Sequence, residues 1–232
     1  AGAAFIPEPA ANALTSHLFK ETDKGLGTAE HKLFPDENFQ KREFLCSTDE
    51  RFRPVSVYNG PDGCIYIVDL YRGILQHKVY VTSFYLKPYI LERKLEVPVG
   101  MGRIYRIVHT AKGRDKTQPR LLSASTTELV ETLSHPNGWW RDTAQRLLVQ
   151  RNDPKSAPLL KKAVVAAGNH LGQIHALWTL EGMNALDLAT IETGLKDQHD
   201  KVQMTALVVS ARMRATPDQD KAIAAVQGLS KS

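Results

Sequence analysis

The chain has 232 residues, 42% hydrophobic and 24% charged, a globular balance that excludes a disordered, collagen-like or disulfide-scaffold protein and leaves length for one large domain or two small ones. Lysine plus arginine number 30 against 25 aspartate plus glutamate, and this net charge of +5, with a pI near 9.1, is too thin to point to a nucleic-acid partner. No run approaches the roughly 20 apolar residues of a bilayer-spanning helix, so no membrane span is expected.

From Phe5 to about His109 apolar residues come in short alternating runs broken by Gly, Pro and Asp, which is the pattern of strands. In chain order the strands are expected over 3–7, 13–21, 42–48, 53–58, 64–71 and 102–109, with one short helix allowed around 79–94. Gly60-Pro61-Asp62-Gly63 should join the fourth strand to the fifth as a tight hairpin, since Pro presets one corner and Gly63 accepts a positive φ at the next. Cys46 and Cys64 lie in strand-like segments and match no zinc or haem spacing; two buried reduced thiols are the plainer reading, with a disulfide left open. The opening residues AGAAFIPEP hold no basic stretch followed by an apolar core, so no secretory signal is legible there.

Near Thr126 the period becomes helical. Ala144, Ala176 and Ala206 recur at intervals of 32 and 30 residues. Each is preceded eleven positions earlier by an apolar residue, Leu133, Val165 and Leu195, and four positions earlier by Trp140, Gly172 and Val202. Leu148, Leu180 and Ser210 follow four positions later, so three copies run in phase. Breakers fall between the helices at 135–138, 152–154, 168–169, 182–184 and 197–200. Two short helices per repeat, with a small residue where the pair packs closely, describe an α-solenoid of HEAT or armadillo type, though at a shorter period than is usual for that class. Trp139 and Trp140 read either as core packing or as an aromatic anchor for a partner. His170 and His175, five apart, lack the spacing of a helical metal pair. Between the halves, AKGRDKTQPR (111–120) carries Lys112, Arg114, Lys116 and Arg120 and reads as an exposed linker, the alternative being a docking strip for an acidic partner.

Two segments, RFRPVSVYNGPDGCIYIVDLYR (51–72) and PVGMGRIYRIV (98–108), resemble the last part of the propeller domain in bacterial sugar and aldehyde dehydrogenases of the pyrroloquinoline-quinone type, in particular the sorbosone-dehydrogenase-like, membrane-bound group. LVETLSHPNGWWRDTAQRLLVQRNDP (129–154) looks like the start of the HEAT-like region that follows the propeller there. The resemblance implies a mixed, two-domain chain. A partial β-propeller of about one and a half blades would occupy 1–110, a basic linker 111–124, and an α-solenoid of HEAT-like helical repeats 125–232. It also implies the C-terminal portion of a longer, periplasmic or otherwise extracytoplasmic protein. Such a protein oxidises a sugar or aldehyde and passes electrons through the quinone to a c-type cytochrome, for which this chain has no CxxCH motif. The portion alone is not expected to be active.

Arg51 and Arg53, two apart at a strand entrance, should present both guanidinium groups on one face, with Phe52 on the other. Such a pair suits a ligand with several carboxylates. Under the resemblance that ligand is pyrroloquinoline quinone, with Arg72 as a third contact and calcium as a candidate accompanying ion. The competing reading neutralises the pair locally through Asp49 and Glu50. Related glucose dehydrogenases place a lysine where this chain has Glu8-Pro9-Ala10-Ala11-Asn12-Ala13-Leu14, without one. Asp69, at the end of its strand, either orients Arg53 or Arg72, assists a base, or caps the following turn. His77 is a proton-transfer candidate because histidine titrates near neutrality, or else a solvated loop residue. A non-catalytic scaffold for protein interaction is the function that competes with the dehydrogenase.

Overall fold

The alternating run Gly2–Glu8 (β1) reverses through a turn in which Asn12 takes φ 55°, a left-handed conformation that asparagine tolerates. It pairs antiparallel with Ala13–Thr22 (β2), from Gly2 opposite Phe19 to Glu8 opposite Ala13. The other edge of β2 is shared: Gly25–Glu30 (β3) covers His17–Thr22, and Leu45–Cys46 (β4) covers Ala13 and Leu14. The first sheet is therefore three strands wide, with Leu14 fully buried. The second sheet has the order Pro54–Asn59 (β5), Ile65–Asp69 (β6), Arg103–Ile107 (β7), all antiparallel, with Val55 bulged out of register and Ile67 buried. Its hairpin is the expected one: Gly63 N–H donates to Gly60 O, Gly60 N–H donates to Cys64 O, and Gly63 has φ +74°. The computed structural model describes residues 2–22, 25–30, 43–166 and 168–213, with 220, 221 and 224. Residue 42 of the strand expected at 42–48 lies outside these.

The partial propeller is corrected by these sheets. A blade is built of four antiparallel strands in succession, and the described residues form instead two small sheets, each three strands wide. The stretch between β6 and β7 carries no strand. It holds a 3-10 turn at Lys78–Tyr80 and the helix Leu86–Glu92 (α1), in whose first turn Pro88 has no need of an N–H. Gly73 pins this excursion at its base, because a Cβ there would lie 2.4 Å from the Leu95 carbonyl oxygen. The β3 strand escaped the alternation test because its sequence, GLGTAE, has a single large apolar residue.

Residues 1–115 and 116–232 form two separate compact units. The second contains Thr126–Thr132 (α2), Gly138–Arg151 (α3), Ser156–Val165 (α4), His170–Gly182 (α5), Leu188–Leu195 (α6) and Asp200–Ser210 (α7), and the expected breakers fall at the junctions between them, with Gly138, Gly182 and Asp200 as terminal helical residues. α2 packs on α3, α4 on α5 and α6 on α7; α2, α4 and α6 form one file, and α3, α5 and α7 form the other. Leu129, Leu160 and Ile191, one from each first helix, are fully buried, as are Ala144, Ala176 and Ala206 from each second helix. Gly172 lies so close to Ser134 that a Cβ would meet its Oγ at 2.2 Å, which is the close approach the small residues promised. One position of the expected repeat is shifted. Val165 is 65% exposed at the end of α4 and Val164 takes the inward place, restoring an even spacing between Leu133 and Leu195.

In the helical unit every helix start but that of α4 is capped by a side chain. Ser125 and Glu128 form a reciprocal capping box on α2, while Asn137, Asn169, Asp187 and His199 cap α3, α5, α6 and α7. The end of the expected linker belongs to this unit, since the 3-10 turn Leu121–Ser123 buries Leu121 in its core. Among the described residues no helix is long and apolar enough to cross a membrane.

Candidate functional site

Arg51 and Arg53 do leave the chain on either side of a buried Phe52, but their guanidinium groups close on backbone carbonyls of the same unit. Arg51 Nε–H donates to Val97 O at 3.0 Å, and its Nη2 donates to Arg93 O and Lys94 O at 3.1 and 2.9 Å. Arg53 is more fully engaged: Nε–H to Arg72 O at 2.8 Å, Nη1 to Pro9 O at 2.7 Å and Ala10 O at 3.4 Å, Nη2 to Gly73 O at 2.9 Å. A planar fork with five N–H donors suits this convergence of carbonyls. Burial lowers the Arg53 pKa, against the opposing pull of Glu50 and Asp69, and the group stays charged at any physiological pH.

Asp69, 1% exposed, sits behind Arg53. Its Oδ1 accepts from the backbone N–H of Arg53 at 2.7 Å and of Tyr71 at 2.8 Å. It thereby ties β5 to the end of β6 and closes the turn in which Tyr71 takes φ 49° under the guanidinium of Arg103. The turn-capping role is thus present in the geometry. Its Oδ2 is buried without a hydrogen-bond partner. The Arg72 side chain is exposed, and its carbonyl is one of those held by Arg53. His77 is exposed too, its Nδ1 accepting from Val79 N–H at the start of the 3-10 turn.

The structure thus brings Arg53, Asp69 and the Arg72 backbone together and places Arg51 on the carbonyls at 93–97, while the His77 side chain has no hydrogen bond to either group among the described residues. The hydrogen bonds of Asp49 and Glu50 go to groups other than the two guanidinium groups, and Glu50 reaches Arg51 and Arg53 only as a nearby charge. Asp49 accepts from Arg51 N–H, and Glu50 binds Tyr89 and pairs with Arg93 Nη1 at 2.8 Å, the Tyr89 bond holding its carboxyl below the ordinary value. A quinone carboxylate at Arg53 would have to displace carbonyls from Nε, Nη1 and Nη2, so these residues as arranged do not fit the quinone. Cys46 is an exposed free thiol and Cys64 a buried one whose pKa burial raises. Among the described residues no group of three or more His, Cys, Asp or Glu is placed to hold a metal ion.

The helical unit contributes polar groups that spacing alone left unread. His175, on α5, receives Arg141 Nε–H at its Nε2, at 3.2 Å, and its Nδ1 meets Gln145 Oε1 at 2.7 Å, which assigns the proton to Nδ1. Burial and the neighbouring Arg141 lower its pKa, against Asp142. The α4–α5 and α6–α7 turns form a cleft of about 300 Å³, where His170 and His199 stack with centroids 4.0 Å apart and the buried Gln173 donates to Val164 O and Asp197. The phase of the caps was the available signal: Asn137, Asn169 and His199 recur at the intervals of the alanines.

Residues 1–111 match a family described as a domain of unknown function, DUF7133. No curated protein matches the chain.

Proposed function

We propose that the chain is a binding module, a strand unit joined to a stack of helical repeats, and not a catalyst in itself. One observation carries this reading. The strand unit leaves a succession of large apolar side chains in solvent across 79–108: Val79, Tyr80, Phe84 (89% exposed), Tyr85, Val99, Met101 and Ile104 (70% exposed), the last on the edge strand β7. Exposed apolar surface on this scale, beside a strand edge that no other strand of the described residues pairs with, is characteristic of a surface that another protein covers. The helical unit is consistent with the same role, since stacked repeats present extended surfaces to partners. The test is cross-linking mass spectrometry on the parent protein in its source cell. Cross-links to a protein surface should concentrate at Lys87 and Lys94, exposed lysines beside the apolar stretch. Their absence there, or quinone-dependent dye reduction with sugars or aldehydes by the isolated chain, would overturn the reading.

A second reading is favoured by the segments 51–72 and 98–108. In it the chain is the C-terminal part of an extracytoplasmic quinoprotein-like dehydrogenase acting on a sugar or aldehyde, with a c-type cytochrome as electron acceptor. Quinone-holding and catalytic groups would then come from sequence beyond this chain, because Arg51 and Arg53 are occupied by carbonyls. Quinone-dependent turnover by the complete parent protein tests it.

A further inference from the structure

At the start of the helical unit, the 3-10 turn Leu121–Ser123 and helix α3 enclose a cleft of about 480 Å³, within the size range of small-ligand sites. Leu121 and Leu147 are its buried apolar residues; Leu122, 82% exposed, and the half-buried Trp139 add apolar wall. The charged residues lining it are Arg120 and Arg146, and no aspartate or glutamate is part of that lining; Asp142, one helical turn before Arg146, lies outside it. Both guanidinium groups are exposed. Arg120 makes no hydrogen bond or ion pair through its side chain among the described residues, and Arg146 has a long bond to Gln150, 3.4 Å.

The walls are fixed before any ligand arrives. Arg151 Nη1 donates to Ala124 O at 2.6 Å and its Nη2 to Leu121 O and Leu122 O at 3.2 and 2.9 Å, clamping the 3-10 turn. Trp139 is held edge-on against Trp140, with centroids 5.6 Å apart at 81°. The repeat itself does not demand this combination. At the positions equivalent to Trp139 the later repeats carry Leu171 and Lys201, and at those equivalent to Arg146 they carry Trp178 and Val208.

We propose that this cleft binds a small amphipathic carboxylate, its aromatic or alkyl body lying on Leu122, Trp139 and Leu147 and its carboxylate held by Arg120 and Arg146. A preformed apolar recess supplies the contact area, and two guanidinium groups in a lining that holds no carboxylate select an anion over a neutral isostere. This stands independently of the binding-module reading, which concerns the strand unit.

The experiment is calorimetric titration of the full chain with 1-naphthylacetate and with octanoate, each beside its neutral amide. At least one acid should bind saturably and at least tenfold more tightly than its amide. The double variant Arg120→Gln/Arg146→Gln should lose that preference while keeping its circular dichroism and melting temperature, and Leu122→Ser, at an exposed position, should weaken acid and amide alike. No saturable binding at millimolar ligand, equal affinity for acid and amide, or an unchanged preference in the double variant would overturn the proposal.

Discussion

In the helical unit the chain is held by hydrocarbon against hydrocarbon: Leu129, Leu133, Leu148, Leu160, Leu177, Leu180 and Ile191 are all buried to within a few per cent, and they belong to one continuous core. In the strand unit the fully buried large side chains among the described residues are Leu14 and Ile67, and the connections are tied by polar groups reaching backbone carbonyls. Arg53 joins the β1–β2 turn to residues 72–73, Arg51 holds the segment after α1, and Asn12 Nδ2 donates to Phe52 O at 2.6 Å. Where apolar side chains are few, a pair of arginines two residues apart serves as a loop clamp. In sequence such a clamp looks the same as a polyanion site.

The two kinds of cohesion can be cut into separately. Leu177→Ala, at the centre of the helical core, should cost about 2–5 kcal/mol, read as a fall in the denaturant midpoint of residues 116–232. A loss below about 1 kcal/mol would mean that the core is looser than its burial implies. Arg53→Gln should cost on the order of 2 kcal/mol and quicken amide exchange at residues 10–12 and 72–73, because charge-assisted bonds to carbonyls are lost. Gly63→Val should cost about 1–2 kcal/mol through backbone strain alone, since a Cβ there meets nothing within 4 Å. Asp187→Ala should cost about 1 kcal/mol by removing the α6 cap and the 2.6 Å contact with Lys161.

The smallest effect concerns pH. His175 has a lowered pKa in the folded chain, so below about 6.5 the unfolded chain binds a proton that the folded one resists. The contribution of the neutral imidazole is therefore fully present above that pH and declines as pH falls through the unfolded value towards the folded one. Melting temperatures of the helical unit between pH 7.5 and 5 should show the decline, and His175→Gln should flatten it.

The helical half was legible because its signals are local and repeated. The breakers at 152–154 and 182–184 and the alanine spacing are short-range marks of paired helices, and Val165 differs because α4 ends there and the inward role passes to Val164. The strands other than β3 were legible for the same local reason, as was the positive φ of Gly63. How the strands combine was not. Sheet width depends on pairings between distant segments, such as Leu14 with Leu45, and on the Gly73–Leu95 contact that turns residues 74–94 into an excursion. The candidate site failed to read for a related reason. Alternation places Arg51 and Arg53 on one side of the strand, but the carbonyls that receive them come from residues 9–10, 72–73 and 93–97, which no spacing within RFRP reveals.

The most direct test of the clamp assignment is amide hydrogen exchange on the chain and on Arg53→Gln, each with and without pyrroloquinoline quinone and calcium. The substitution should quicken exchange at residues 10–12 and 72–73, and the quinone should protect nothing in either protein. Saturable protection of the 51–72 segment by the quinone, lost in Arg53→Gln while exchange at 72–73 stays unchanged, would contradict the clamp assignment and return the arginines to a ligand site.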